Sequence, residues 1–273
     1  MSAGASGIAF MLGACVGSFL NVCILRWPAN ASVVRPRSSC PRCSHGLAWY
    51  DNIPVLSWFV LRARCRNCRE PIAALYPIVE ALTGLIWVLA LWYAGPSFMA
   101  LRLAVFATIL LGVAITDFRD YVIPDGFTVT GLLFLGVASV IGAWTGSEFP
   151  FADPVDALFG ACVGAGAITI VGWLGEVALK KEAMGFGDST LMAMAGAALG
   201  PGRALLTVLI AAILGAVIFV GVVIPIGWWR ARARGVPFET PLVPFGVFLA
   251  PAAVLALIWG DAVLGWYIGR LTG

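Results

Sequence analysis

The stretch "IAFMLGACVGSFLNVCIL", Ile8 to Leu25, contains no charged residue, and Arg26 follows it directly. A membrane-spanning helix needs about 20 mostly apolar residues, so this run predicts a first span over residues 5–25. A cleaved signal peptide carries basic residues before its apolar core, whereas no Lys or Arg precedes this one. We therefore predict a retained span with the N-terminus outside the membrane.

The composition of the whole chain indicates an integral membrane protein. Its 273 residues are 61% hydrophobic and 11% charged, whereas soluble domains have about 25% charged residues. Only helices and closed barrels satisfy every backbone group in lipid, and long continuous apolar runs are typical of helices. The predicted fold is an all-α polytopic membrane protein with about eight transmembrane helices, at 5–25, 73–94, 98–116, 127–144, 157–179, 189–200, 204–229 and 244–269. The sixth is short, and we expect it to be tilted or sheltered by its neighbours.

The distribution of charge orients these helices. Segment 26–72 contains eight arginines against Asp51 and Glu70, and short basic loops lie on the cytoplasmic side. Counting spans from this segment places other basic residues inside (Lys180, Arg230, Arg232, Arg234) and acidic ones outside (Asp153, Asp156). We expect three parts: a first transmembrane helix (1–25), a cytoplasmic module (26–72) and a transmembrane bundle (73–273). Arginines beside a membrane usually meet anionic lipid headgroups or set topology, so nucleic acid is not an expected partner.

Four cysteines in the module predict a metal site. They form the pairs "CPRC" (Cys40, Cys43) and "CRNC" (Cys65, Cys68), separated by twenty-one residues. Two such knuckles bring four thiolates around one zinc ion, and a metal supplies folding energy to a segment too short to bury much core. Disulfides are the competing interpretation, but the cytoplasm is reducing. The single histidine, His45, is an alternative ligand. A closed four-cysteine site leaves zinc no open position for chemistry, so this zinc would be structural.

The stretch "MGFGDSTL" (184–191) places Asp188 behind two glycines at the start of an apolar run. Two interpretations are open at this point. Asp188 is the N-cap of a helix over residues 189–199, or it is a functional carboxylate, since ionisable residues at membrane depth are functional candidates. In the second case Gly185 and Gly187 would let an extended peptide backbone come close to the site.

A second aspartate favours the functional interpretation. Asp117 ends the third span, and the parity of the spans places it on the same side of the membrane as Asp188. Two neighbouring carboxylates share a proton, and such a pair activates water while protonating a scissile carbonyl, as in aspartic proteases. Asp120 and Asp125 compete for this role. Asp125 lies in a proline-aspartate-glycine turn, and Asp120 reads as a solvated loop charge.

Together these motifs resemble the bacterial type IV prepilin peptidases, membrane aspartyl proteases named for a G-x-G-D motif. The resemblance covers nearly the whole chain, and it rests on the paired knuckles together with "GSFLNVCILR" (17–26), "DNIPVLSW" (51–58), "YPIVE" (76–80), "TDFRDYVIPD" (116–125) and "GFGD" (185–188). It implies that Asp117 and Asp188 are the catalytic aspartates. It further implies a bacterial inner-membrane enzyme that removes a basic leader from prepilins and pseudopilins on the cytoplasmic side.

The resemblance also implies a second activity. Many members methylate the new N-terminal amine with S-adenosylmethionine, and this activity is associated with the cytoplasmic region that holds the cysteines. No glycine-rich nucleotide fingerprint identifies methyl-donor-binding residues here. One position departs from the family, because Thr190 stands where a lysine is common. Without that ammonium we expect a shift in the protonation of the carboxylate pair or in substrate handling.

Two other functions compete with a peptidase and N-methyltransferase. Asp117 and Asp188 would be a proton relay in a proton-coupled transporter, but the spans are nearly bare of charge. A non-catalytic scaffold, with a zinc module anchored by the bundle, would explain the cysteines and leave the aspartates unexplained.

Overall fold

The computed structural model describes residues 2–147, 149–180, 184–235, 237–238 and 243–272. Within these residues the protein is helical and has no strand longer than an isolated bridge. Its helices are α1 (Ala3–Arg26), α2 (Leu56–Val60), α3 (Leu75–Ala94), α4 (Phe98–Asp120), α5 (Asp125–Thr145), α6 (Pro154–Leu179), α7 (Phe186–Leu199), α8 (Pro201–Ile218), α9 (Ile224–Arg234) and α10 (Gly246–Thr272). A π-helical turn over Phe219–Val223 joins α8 to α9.

The predicted all-α membrane fold is confirmed. Seven helical segments among the described residues are long and apolar enough to cross a membrane, with α8, its π-turn and α9 counting as one. The eighth apolar helix, α7, has 14 residues, too few to span a bilayer core of about 30 Å at about 1.5 Å per residue. The chain divides into two compact units, Met1–Gly112 and Val113–Gly273, and α4 runs from the first into the second.

In the first unit, α1 packs closely along α3. A Cβ added to Gly17 would lie 2.8 Å from the Cα of Glu80, and one added to Gly13 would lie 2.8 Å from the carbonyl oxygen of Thr83. Small residues at such positions let two membrane helices approach at backbone distance. This pairing fixes the last turn of α1 and the first turn of α3. The cysteine module is the segment that connects them.

The module between α1 and α3 is fastened to α3 by a buried carboxylate. Glu80 is only 9% exposed, and its Oε2 accepts a 2.7 Å hydrogen bond from the backbone N–H of Val55. Val55 has φ of 63°, a left-handed conformation that a β-branched residue adopts only under strain. The indole N–H of Trp58, three residues later, donates to the carbonyl of Ile72 at 3.1 Å. These bonds fix the turn that leads from the first cysteine pair to the second.

In the second unit, α7 is enclosed by neighbouring helices, as expected for the short sixth run. Nine of its 14 residues are buried. Its tightest contact is with α6, where a Cβ on Gly160 would overlap the carbonyl oxygen of Gly196, and one on Gly196 would overlap that of Gly160. Because no side chain separates these two backbones, α7 is held firmly enough to position the residues at its start.

We predict that Gly160→Ala destabilises the protein, because the new methyl group must push two backbones apart. Forced overpacking costs about 1–3 kcal/mol, so the midpoint of thermal unfolding in detergent should fall by several degrees. The matched control is Gly136→Ala on α5, where an added Cβ meets nothing within 4 Å. An unchanged midpoint for Gly160→Ala would contradict the close α6–α7 contact.

Candidate active site and metal centre

The four predicted ligand cysteines form one cluster in the first unit. The Sγ atoms of Cys40, Cys43, Cys65 and Cys68 all lie within 4.8 Å of one another. The Sγ atoms of Cys40 and Cys68 are 3.8 Å apart, which matches the edge of about 3.8 Å expected for a tetrahedron with zinc–sulfur bonds of about 2.3 Å. A disulfide needs a separation of about 2.05 Å, and all four thiols are free. The cluster therefore fits a tetrahedral metal ion.

The two knuckles have the same backbone pattern. In the first, the N–H of Cys40 donates to the carbonyl of His45, and the N–H of Ser44 donates back to the carbonyl of Cys40. In the second, Cys65 pairs with Glu70 and Arg69 in the same way. Ser44 and Arg69 both have positive φ, of 56° and 61°, because each chain must turn tightly to present two sulfurs on one side.

Hydrogen bonds prepare one of these thiols for metal binding. The backbone N–H of His45 and the side-chain amide of Asn67, 3.6 Å from the sulfur, lower the pKa of Cys43 from 9.0 to about 6. The thiolate is the form that binds metal, so Cys43 favours its ligating state near neutral pH. Cys68 shows the opposite shift: although the backbone N–H of Glu70 acts to lower its pKa, burial and the hydrogen bonds it shares with the other three thiols raise it to about 12. The cluster consists of the four cysteines, and His45 contributes its main chain to it.

Asp117 lies in the last turns of α4 and is 5% exposed. Its Oδ2 accepts a hydrogen bond of 3.1 Å from the backbone N–H of Val247, in the first turn of α10. The preceding residue, Gly246, approaches so closely that an added Cβ would lie 2.8 Å from the same oxygen. The start of α10 therefore fixes the carboxyl group of Asp117 across 130 residues of sequence.

Asp188 lies in the first turn of α7 and is 9% exposed. The N-cap interpretation was wrong in position, because the helix begins at Phe186 and Gly185 is its N-cap. Asp188 instead sits at the third helical position, and its Oδ2 accepts a 3.3 Å hydrogen bond from the N–H of Gly185. A carboxylate at this place is stabilised by the free N–H groups and positive end of a helix. The bond also fixes the side chain in one orientation.

Both aspartates belong to the second unit, and the fold brings them into one site. Asp117 lies within electrostatic range of Asp188. Ile123 contacts both sides of the site, since its Cβ is 2.9 Å from the position of an added Cβ on Gly187 and its Cδ1 is 2.9 Å from that on Gly246. The competing carboxylates Asp120 and Asp125 are both exposed. Of the four candidate aspartates, the two favoured by the sequence are thus the two that are buried, and their catalytic role stays a prediction.

The glycines around Asp188 have separate surroundings. Gly187 has a packing reason to lack a side chain, because Ile123 fills the space where its Cβ would be. At Gly185 an added Cβ would make only ordinary contacts of 3.8 Å or more, so access for a substrate backbone stays a prediction at this position. The hydroxyl of Thr190 donates to the carbonyl of Gly187 at 3.0 Å. It is therefore engaged with its own helix and brings no charge to the site.

Sequence analysis missed the contribution of α10. Gly246 and Val247 follow Val243, Pro244 and Phe245 at the start of an apolar run, which signals a helix beginning and nothing more. Only the folded structure shows that this beginning lies against Asp117.

Comparison with known proteins gives a consistent set of matches. Residues 11–94 match the model described as Bacterial Peptidase A24 N-terminal domain, and residues 104–220 match the Type IV leader peptidase family. A Myxococcus xanthus protein named prepilin leader peptidase/N-methyltransferase is 44% identical over 82% of this chain, which covers 64% of that relative's length. Proteins of the same name from Stutzerimonas stutzeri and Pseudomonas aeruginosa are 35% and 34% identical, over 95% and 94% of this chain and 92% and 91% of their own lengths. No solved structure matches the chain significantly.

Proposed function

Because the chain belongs to the type IV leader peptidase family, we propose that it cleaves the leader peptide of prepilins and pseudopilins and methylates the new N-terminus. The observation that carries the peptidase half is the buried pair Asp117 and Asp188, each held by a backbone N–H. A proton-coupled transporter and a non-catalytic zinc scaffold are not favoured, since the relatives are named as peptidases and methyltransferases.

The pair performs hydrolysis as a single acid–base unit. Two buried carboxyl groups at close range cannot both ionise, so they share one proton and titrate jointly. The ionised member takes a proton from water as the water oxygen attacks the scissile carbonyl carbon, and the protonated member donates its proton to the carbonyl oxygen. The tetrahedral intermediate then collapses: the leaving amine takes a proton from the Asp117–Asp188 pair (the dyad), and one hydroxyl group of the intermediate returns a proton to it, so the dyad regains its starting protonation. Within the described residues each carboxyl group is held through its Oδ2, which leaves Oδ1 for water and the shared proton.

We place the site on the cytoplasmic side of the bacterial inner membrane, with the N-terminus outside. The support is the charge of the chain, since the eight arginines of 26–72 mark this segment as cytoplasmic. From there α3 crosses outward and α4 crosses back, which returns the chain to the cytoplasmic side at Asp117. A basic leader stays on that side while the apolar part of a prepilin lies along the bundle. In functional terms the parts are the first helix (1–25), the cysteine module (26–72) and the protease bundle (73–273).

We propose zinc for the cysteine cluster. Four thiolates with tetrahedral spacing suit zinc, and a module without a large core gains its folding free energy from the metal. All four positions around the ion are then filled by protein, so the zinc holds the module together and takes no part in hydrolysis.

The only support for a methyl donor is that the relatives are named N-methyltransferases. S-adenosylmethionine would supply the methyl group, and the amine exposed by cleavage would accept it. We assign no residues of this chain to the donor, because its sequence contains no glycine-rich nucleotide fingerprint.

If Asp117 and Asp188 act as an acid–base pair, Asp117→Asn and Asp188→Asn should each reduce cleavage of a prepilin in membranes by at least about a thousandfold, since neither asparagine can exchange a proton. Leader loss is read by mass spectrometry of the product, which also reports the added methyl group. Asp120→Asn and Asp125→Asn, at exposed neighbouring positions, are the controls and should cleave normally. Normal cleavage by either dyad variant would remove that aspartate from the mechanism.

Gly246 should be needed to position Asp117. In Gly246→Ala the new methyl group would lie 2.8 Å from Oδ2 of Asp117 and 2.9 Å from Ile123, so the carboxyl group must move. Because small misplacements cost about 100-fold, we expect kcat to fall by about this factor while KM changes little. Gly265→Ala on the same helix, where an added Cβ meets nothing within 4 Å, should keep full activity. If both alanine variants cleave alike, α10 does not position the dyad.

Purified protein should contain one zinc ion per chain, measured by inductively coupled plasma mass spectrometry. Cys65→Ser should lose the metal, because three thiolates and a serine no longer form a high-affinity tetrahedral site. Cys162→Ser, outside the cluster, should retain it. Zinc in equal amount in both variants, or its absence from the unmodified protein, would contradict the assignment.

A further inference from the structure

The first unit contains a groove to which the proposed function assigns no role. It has a volume of 440 Å³ and lies between one face of α1 and two loops of the cysteine module. Cys15, Phe19, Val22 and Arg26 form its α1 wall, while Arg37 and Trp49 belong to the loops. We call this cavity the α1 groove. Its volume is in the range of about 300–1,000 Å³ that is typical of ligand sites.

The polarity of the α1 groove changes along its length. Its α1 residues recur at helical spacing, so they form a single stripe, and from Cys15 to Arg26 that stripe is about 16 Å long at about 1.5 Å per residue. Apart from Ser18, the stripe is apolar from Cys15 to Val22, about two helical turns, and it ends in the guanidinium group of Arg26. α1 is one of the candidate membrane spans, so the apolar part lies at hydrocarbon depth and Arg26 at the membrane surface.

The polar end of the α1 groove is positively charged without compensation. No acidic residue lines it. Arg26 donates one hydrogen bond of 2.9 Å to the carbonyl of Ser32, which is neutral. Arg37 is exposed, and among the residues that the structure describes its side chain has no ion pair. Two arginines facing one cavity without a carboxylate favour an anionic ligand.

Trp49 places the same end at the lipid headgroups. Trp49 is 77% exposed while lining the groove, and tryptophan is enriched at the boundary between hydrocarbon and water. A ligand that suits this site therefore carries an anionic group at the membrane surface and an apolar chain below it.

We propose that the α1 groove binds one anionic phospholipid, with its phosphate group between Arg26 and Arg37 and one acyl chain along Cys15, Phe19 and Val22. The lipid would fill the space between the membrane helix and the cysteine module. It would thereby hold the module against the membrane surface, independently of which reaction the protein catalyses.

Native mass spectrometry of the full-length protein in detergent tests this proposal with added dioleoyl-phosphatidylglycerol or dioleoyl-phosphatidylcholine. The unmodified protein should bind phosphatidylglycerol about tenfold more tightly, since only this lipid is anionic. Arg37→Gln should abolish the preference, whereas Arg62→Gln, an exposed arginine of the same module outside the groove, should keep it. Equal preference in the two variants would overturn the site.

Two further arms test the apolar part of the α1 groove. Cys15→Trp fills the groove at hydrocarbon depth without changing charge, and we expect it to weaken binding of phosphatidylglycerol. Glycerol phosphate, which has the anionic group and no acyl chain, should not bind at the same concentration. Full lipid binding by Cys15→Trp, or equally tight binding of glycerol phosphate, would show that the site recognises phosphate alone and would overturn the assignment of a lipid.

Discussion

Two carboxyl groups buried among apolar helices are the constraint on which the second unit depends. A carboxylate removed from water is costly unless it is hydrogen-bonded or protonated, and this chain meets that cost with backbone N–H groups at two helix beginnings. The first turn of α10 donates to Asp117, and the N-cap of α7 donates to Asp188. The same bonds that make burial tolerable also orient the groups, so the stability of the site and its chemistry have one origin. The close α6–α7 contact at Gly160 and Gly196 extends this positioning into the bundle.

The first unit is stabilised by other interactions than the second. Its module of 26–72 has few buried side chains, and it is held by four clustered sulfurs, by the bond from Val55 to Glu80 and by paired turns of identical pattern. A metal at the cluster and a lipid in the α1 groove would each add a ligand-dependent contribution to its stability. The folding of this module would then depend on the surroundings of the protein, whereas the hydrogen bonds that hold Asp117 and Asp188 come from the second unit itself.

Much of this arrangement follows from local sequence, and the remainder depends on long-range contacts. Runs of apolar residues predicted the helices, and the spacing of Cys40, Cys43, Cys65 and Cys68 predicted the cluster, since these signals lie within short windows. The start of α7 was predicted three residues late, because "GFGD" reads as a turn when the stabilising bond from Gly185 to Asp188 is unknown. The role of Gly246 was not predictable, since its partner Asp117 is 129 positions earlier and no periodicity links them. Nor did the sequence indicate that Gly187 makes room for Ile123.

The central claim is that Asp117 and Asp188 act as one unit, and a double-variant comparison of cleavage rates tests it most directly. Single-turnover rates would be measured for Asp117→Asn, Asp188→Asn and the combined variant, with zinc content and thermal midpoint confirming that each is folded. Groups that share one proton are strongly non-additive, so the account predicts that the combined variant is no slower than either single variant. A combined loss equal to the product of the two single losses would show two independent residues and would contradict the dyad.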